Sequence, residues 1–450
     1  MKKNIYALLL TAALAAGSLS GCGGNGTSGA EGSSQAGNAA NQEAGSGADT
    51  VTIQYWQYAY DSKVAMMDEL IKEFEAANPT IKIEHITYPY DSYFEKMAAS
   101  IVTAQSSGVG PNIINYNCVD TSNYYAQGVL QPLPTDVFDP AVIDQEFSPL
   151  VQMGKINDVY YSLPTAVRTY AMFYNEKLLE ENGYTEADLP KTWEEYADMA
   201  EKMTVWEGNN LKIAGSTMDK DGRLSHWFRI LNKGLGGDLY GQDNKTAEYN
   251  SDTAKKSLDY LIDMYKNRKV SVSGFTTSDQ VSFATGVAAL HIDGSFRIAT
   301  IKEKVGDSFE WGVAELPTWE NGEKATYGDY WCNSITSFTK GPELDASVKF
   351  LQFLTSEDVM KRWSLATGEI GARMVFAEDQ DLLSDPYMAP FIEALPYAFT
   401  SFSTKRYSVD DACKEIFETS LLGDGDPGQT LDTVNAKVQE SLDEFWSEFE

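Results

Sequence analysis

Apolar and polar residues alternate from Val51 through Ile53 to Tyr55, a period of two that predicts a strand ending at Trp56. Behind it Val64, Met67, Leu70, Ile71 and Phe74 recur at three- and four-residue steps, so the pattern becomes helical until Asn78-Pro79 stops it. Ile81, Ile83 and His85 alternate again, Tyr93, Met97 and Ile101 mark a second helix that breaks at Gly110-Pro111, and Ile113-Ile114 reads as a short buried strand. Strand, helix, strand, helix, strand predicts βαβ units, a largely parallel sheet and therefore the α/β class. Thr192 and Glu195 form a capping box ahead of Trp193, Tyr196, Ala200 and Met203. Residues 211–214 read as a strand, and Ser251 caps a helix carrying Ala254, Leu258, Leu261, Ile262 and Tyr265. Further strands are expected at 286–292, 311–316 and 334–338. The last third turns helical at 346–354, 412–420 and 430–449. The final helix places Leu431, Val434, Val438, Leu442 and Phe445 on one face.

The first fifty residues follow neither period. A charged Met1-Lys2-Lys3 start and an apolar run over 7–16 lead to Leu19-Ser20-Gly21-Cys22, the layout of an export signal that ends at a cysteine behind small residues. This resembles a bacterial lipobox, which implies a signal peptide over 1–21, cleavage before Cys22 and acylation of that thiol. Attachment would place the mature protein on the outer face of a membrane, and stable anchoring takes more than one acyl chain. Residues 23–49 are mostly Gly, Ser, Ala, Asn and Gln, without one aromatic residue, Val, Ile or Leu. Such a stretch buries too little apolar area to offset its ordering entropy, so 22–50 is expected to be a lipidated cysteine and a flexible linker.

About 400 residues remain beyond the linker, more than one ordinary core accommodates, which favours two lobes. The net charge of −31 repels phosphate backbones and excludes nucleic acid as a partner. No second apolar run approaches the ~20 residues of a membrane span. Beyond Cys22 the chain carries Cys118, Cys332 and Cys413 with no CxxC pair, which argues against structural zinc and leaves buried thiols, or one disulfide and a thiol. With three His in the chain and no HExxH, GxSxG or Walker sequence, neither a catalytic metal nor a cofactor is expected. Residues 423–428 match GxGxxG by letter, but two aspartates stand where a pyrophosphate would sit, so the stretch reads as a turn between helices. As a calcium loop it would need Glu at the twelfth position, where Asn435 stands.

The order of short motifs resembles the family 1 extracellular solute-binding proteins, the maltose-binding-protein-like sugar-binding subunits of bacterial ATP-binding-cassette (ABC) importers. The matching pieces are Phe74-Glu75-Ala76-Ala77-Asn78-Pro79, Gly110-Pro111-Asn112-Ile113-Ile114 and Ala126-Gln127-Gly128-Val129-Leu130-Gln131-Pro132-Leu133. They continue with Tyr161-Ser162-Leu163-Pro164, Phe173-Tyr174-Asn175-Glu176-Lys177-Leu178 and Lys191-Thr192-Trp193-Glu194-Glu195. Phe283-Ala284-Thr285-Gly286-Val287-Ala288-Ala289-Leu290 and Asp293-Gly294-Ser295-Phe296 complete the set. Two departures are visible: Phe296 where members often carry Trp, and Asn112 where they usually carry Asp. The resemblance implies a two-lobe periplasmic-binding-protein-like fold of type II that closes on ligand, each lobe a largely parallel sheet flanked by helices. It puts crossovers near 165–170, near Ala288 and within 321–328. The lobes would then be 51–165 plus 288–322 and 166–287 plus 323–450. It also implies a monomer that captures a carbohydrate, an oligosaccharide, and delivers it to the permease of an ABC importer.

A sugar presents hydroxyls at its edge and weakly apolar faces, so its pocket needs flat aromatic plates with charged or amide groups between them. Strand ends and the loops behind them gather such groups in open α/β sheets. Trp56 and Tyr58 follow the first strand, and Tyr116 and Asn117 follow Ile113-Ile114. Arg168, alone in an apolar strand, needs either a ligand or an ion-pair partner. His226 and Trp227 open a helix behind Ser225 and are candidates by residue type, the family pattern adds Asp293 and Phe296 behind a crossover strand, and Trp331 and Arg373 resemble residues of ligand-side loops. Two other classes share this composition: a glycoside hydrolase, which needs two carboxylates ~5–9.5 Å apart, and a tethered sugar sensor or adhesin.

Overall fold

The computed structural model describes residues 50–404 and 407–447. The expected signal peptide, Cys22 and, apart from Thr50, the linker lie outside the described residues. The first strand, β1 (Val51–Ala59), leads into helix α1 (Asp61–Ala77), which turns Met66, Met67, Leu70, Ile71 and Phe74 inward. Asn78 ends it: its backbone N–H and its side-chain Nδ2 both donate to the Phe74 carbonyl at 2.9 Å, and Pro79 prevents another turn. β2 (Ile81–Pro89) follows, then α2 (Tyr90–Ser107), closed by Gly108 in the left-handed region at φ 73°. β3 (Ile113–Asn117) completes the opening unit, with β2 and β3 both parallel to β1.

Two strands with one residue between them carry the chain from one sheet to another. β4 (Leu163–Pro164) belongs to the first sheet, and β5 (Ala166–Asn175), one residue later, to the second. All ten residues of β5 are buried. Val167, Ala171 and Phe173 pack into one apolar core, and Tyr170, Met172 and Tyr174 into the other, which explains why the strand reads as an almost unbroken apolar run. The second body continues with α3 (Trp193–Met203), β6 (Asn210–Ser216), α4 (Leu224–Gly234) and α5 (Asp252–Ile262). Next come β7 (Ala288–Gly294), β8 (Trp311–Ala314) and β9 (Thr326–Asp329). The chain returns to the first sheet in β10 (Trp331–Ile335), with only Tyr330 between the two strands. Then follow α6 (Gly341–Leu354), α7 (Glu357–Thr367), α8 (Val409–Ile416) and α9 (Pro427–Ser447).

The first sheet runs β2-β1-β3-β10-β4, and the second contains β9-β5-β7-β6, with β8 also on β5. The α/β class holds. Parallel pairing is concentrated in β1–β3 and in β6 with β7, while the sheet-switching strands add antiparallel partners. Two switches run side by side: Pro164 opposes Cys332, and Arg168 opposes Asp329. β7 lies wholly in the second sheet, and the return switch falls at Tyr330, just past the 321–328 stretch, because β9 pairs with β5 before crossing.

Several strands differ from their sequence limits. β1 continues through Trp56 to Ala59, since β2 pairs with it residue by residue as far as Pro89. β3 includes Tyr116 and Asn117, and β10 starts at Trp331, because the two zip together antiparallel. The Thr192–Glu195 box caps α3: the Thr192 hydroxyl accepts from the Glu195 N–H (3.2 Å), and the Glu195 carboxylate accepts from the Thr192 N–H (3.0 Å). Thr192→Ala should therefore cost about 1 kcal/mol in urea unfolding. The three cysteines of the described residues are free and buried. No helix among the described residues is long and apolar enough to cross a membrane.

Candidate functional site

The paired switches bring polar side chains from both sheets into one place. Arg168, near the start of β5, meets Asp329 at the end of β9. Its Nε donates to Oδ1, and its Nη2 donates to Oδ2 at 2.8 Å. Asn117 at the end of β3 donates from Nδ2 to the same Asp329 oxygen (3.2 Å), which ties the first sheet to the pair. On the other side Arg168 Nη1 lies 3.9 Å from Glu369, which accepts from Lys63 Nζ (2.7 Å) and from Trp363 Nε1 (3.0 Å). Burial works against ionisation of Asp329, but the adjoining guanidinium outweighs it and holds the carboxyl down to about 2.

A second set surrounds Phe296. The guanidinium carbons of Arg168, Arg297 and Arg223 lie 4.6, 5.1 and 5.5 Å from its ring centroid. Asp293 anchors two of these cations, accepting from Arg223 Nε (2.8 Å) and Arg297 Nε (3.1 Å). Burial would favour the neutral acid, yet Arg223 in particular holds Asp293 well below the usual carboxylate range.

Beside these groups opens a cavity of about 280 Å³ lined by Tyr90, Phe94, Asn117, His226, Tyr327 and Asp329, with Arg229, Ser403, Thr404 and Asp410 among its other walls. His226 and Arg229 share a face of α4, three residues apart. Arg229 donates to Asp410 (2.7 Å) and lies 4.4 Å from the Tyr327 ring centroid. Burial, reinforced by Arg229 and Arg223, pushes His226 down to about 3, so its imidazole is neutral at neutral pH. The ring lies between Tyr170 (4.7 Å) and Tyr327 (5.0 Å).

An aromatic shelf adjoins the cavity. Tyr58 and Trp331 lie 4.1 Å apart, and Tyr90 meets Tyr58, Phe94 and Trp331 at 5.6, 5.5 and 6.2 Å. Tyr90 is 54 % exposed, a ring held by its neighbours yet open to solvent.

Of the residues singled out in the sequence, the structure gathers Tyr58, Asn117, Arg168, His226, Asp293, Phe296 and Trp331 around this region. Four others lie elsewhere. Trp56 faces Tyr88 (5.5 Å), with its indole N–H on Gln54. Tyr116 is fully buried, its hydroxyl 2.7 Å from that of Ser334, because the extension of β3 draws it into the core. Trp227, about 100° round α4 from His226, packs on Trp193 and Tyr196 instead. Arg373 pairs with Glu146, lies 4.5 Å from the Phe147 ring centroid and donates to the Thr355 carbonyl. The sequence reading missed Tyr90, Phe94, Arg223, Arg229, Tyr327 and Asp329. Asp329 stands two residues before Trp331 in the sequence, and Arg229 is readable as the helical neighbour of His226. Among the described residues, no group of three His, Cys, Asp or Glu side chains is placed to hold a metal ion.

A family model described as bacterial extracellular solute-binding protein matches residues 69–390. The chain is 23% identical over 364 residues to the maltotriose-binding protein of Pyrococcus abyssi (strain GE5 / Orsay), covering 80% of this chain and 74% of that one. It is 25% identical over 342 residues to the sn-glycerol-3-phosphate-binding periplasmic protein of Escherichia coli (strain K12), covering 72% and 75%. The crystal structure of the cyclic α-maltosyl-1,6-maltose binding protein from Arthrobacter globiformis shares the fold, with a TM-score of 0.75 at 21% identity, covering 88% of this chain and 100% of that one.

Proposed function

The chain belongs to the bacterial extracellular solute-binding proteins, and from that membership we propose that it captures a neutral oligosaccharide in the cavity beside the aromatic shelf and delivers it to the permease of an ABC importer. The observation that carries this reading is the pairing of charges around an aromatic-lined cavity. Arg168 is matched by Asp329, and Arg229 by Asp410. Such pairs retain hydrogen-bonding capacity for hydroxyls but present little net charge to a phosphate. The rings of Tyr90, Phe94 and Tyr327 offer flat faces to the C–H surfaces of a sugar. In this reading Tyr58, Asn117, Arg168, His226, Asp293, Phe296 and Trp331 form the ligand site or hold its walls.

Closure would turn about the ribbon formed by the paired sheet switches, at Thr165 and at Tyr330, between a lobe built on the first sheet and a lobe built on the second. Ligand stabilises the closed state only as far as it binds that state better. The Cys22 lipid would hold the protein at the extracytoplasmic face of the membrane, with the linker giving it reach.

Titration calorimetry with maltotriose and other neutral oligosaccharides tests the function. Saturable binding without turnover is the expected result. Cleavage products would identify a glycoside hydrolase. Uptake that continues unchanged in cells lacking this protein would favour a sensor or adhesin. Tyr90→Ala separates site from scaffold: the half-exposed ring loses its edge contacts with Tyr58, Phe94 and Trp331, so stability should fall by only about 1 kcal/mol. Sugar affinity should fall roughly tenfold, about 1.4 kcal/mol, as a stacking face is lost.

A further inference from the structure

Beside Trp331, on the α1 and α7 side of the first sheet, lies a small, partly open chamber with mixed polar and apolar walls. Its walls include Gln57, Lys63, Thr165, Trp331, Asn333 and Glu369. The free space is about 10 Å³, the volume that about one water occupies. Gln57 is 2 % exposed, and neither its Nε2 nor its Oε1 has a hydrogen-bond partner. Buried amides are ordinarily satisfied, so this one marks a missing group of matching chemistry. The other walls narrow what that group is. Asn333 already donates to Thr165 Oγ1 at a long 3.4 Å and accepts from Tyr55 and Asn115. Lys63 Nζ carries three N–H donors and spends one on Glu369 (2.7 Å). The Lys63–Glu369 pair is neutral as a unit, so the chamber favours no charged guest.

We propose that the chamber seats one neutral, hydroxyl-sized group, which donates to Gln57 Oε1 and accepts from Gln57 Nε2 or Lys63 Nζ. A hydroxyl does both at once, whereas a carbonyl cannot donate and an ammonium cannot accept. The group comes either from a ligand hydroxyl reaching past Trp331 or from a resident water, and the first source rests on the carbohydrate reading above. Thr165 lies at one sheet switch and Trp331 beside the other, so the seat is positioned to report on the hinge.

High-resolution crystal structures of the full chain, with and without maltotriose, test this. An oxygen within about 3.2 Å of the Gln57 amide in the sugar-free crystals identifies water. An oxygen continuous with bound sugar identifies the ligand. The variant Gln57→Leu should abolish the oxygen in either case. It should weaken maltotriose binding roughly tenfold if the sugar supplies the hydroxyl, and leave affinity unchanged if water does. Gln57 bonded to protein groups in the wild-type crystals, with no oxygen in the chamber, would overturn the proposal. A protein that binds no saccharide would sink the carbohydrate reading alone, since the sugar-free crystals still decide the seat.

Discussion

Replacing Arg168 with Met is expected to destabilise the protein by about 3–5 kcal/mol, because it leaves the Asp329 carboxylate buried without its cation. The pH dependence should reveal the cause. In the wild type Asp329 is held down to about 2, below its ordinary value. Its contribution to stability is therefore complete above about pH 4 and is lost as the pH falls toward about 2. In Arg168→Met, burial without the guanidinium raises the carboxyl above its ordinary value. The folded variant then binds a proton more readily than the unfolded chain, and acidification from pH 8 to pH 5 should recover part of the lost stability. Thermal melts across that range check this. A wild-type-like profile would mean that Asp329 finds another partner. The double variant Arg168→Met, Asp329→Asn should be more stable than the single one at pH 8, since no charge is left unpaired.

Trp227→Ala should cost about 3–5 kcal/mol for a different reason, the cavity left by an indole that is 1 % exposed between Trp193 and Tyr196. Trp227 lies in the core and only its neighbour His226 lines the cavity, so sugar affinity should stay within twofold at temperatures where the variant is folded. Chemical denaturation gives the first number and calorimetry the second. A large affinity loss in the folded variant would return Trp227 to the site.

The helices were the most legible part of the chain. Leu431, Val434, Val438 and Leu442 repeat at helical spacing because one face of α9 meets the core, and that periodicity survives in sequence. Strand ends were less legible. In β1 the alternation dissolves into Trp56, Gln57 and Tyr58, all buried because neighbouring strands and helices cover both faces. The same holds for Tyr116, which looked like a loop residue until β10 closed over β3. The site was legible by residue type more than by direction. His226 and Trp227 are adjacent letters, and only the placement of α4 turns one to the cavity and the other to the core. Arg168 announced that it needed a partner, but its partner lies 161 positions away and is fixed by strand pairing. Tyr90 carried little local signal beyond its place at the start of a helix, and its exposure is a tertiary property.

Scattering and calorimetry on one sample, titrated in parallel with maltotriose, a panel of neutral oligosaccharides and sn-glycerol 3-phosphate, test the central claim most directly. The expected result is one-to-one heat with a neutral oligosaccharide, a smaller radius of gyration at saturation, and no response to the phosphate. Heat and compaction with the phosphate alone, or no compaction with any saccharide, would contradict it.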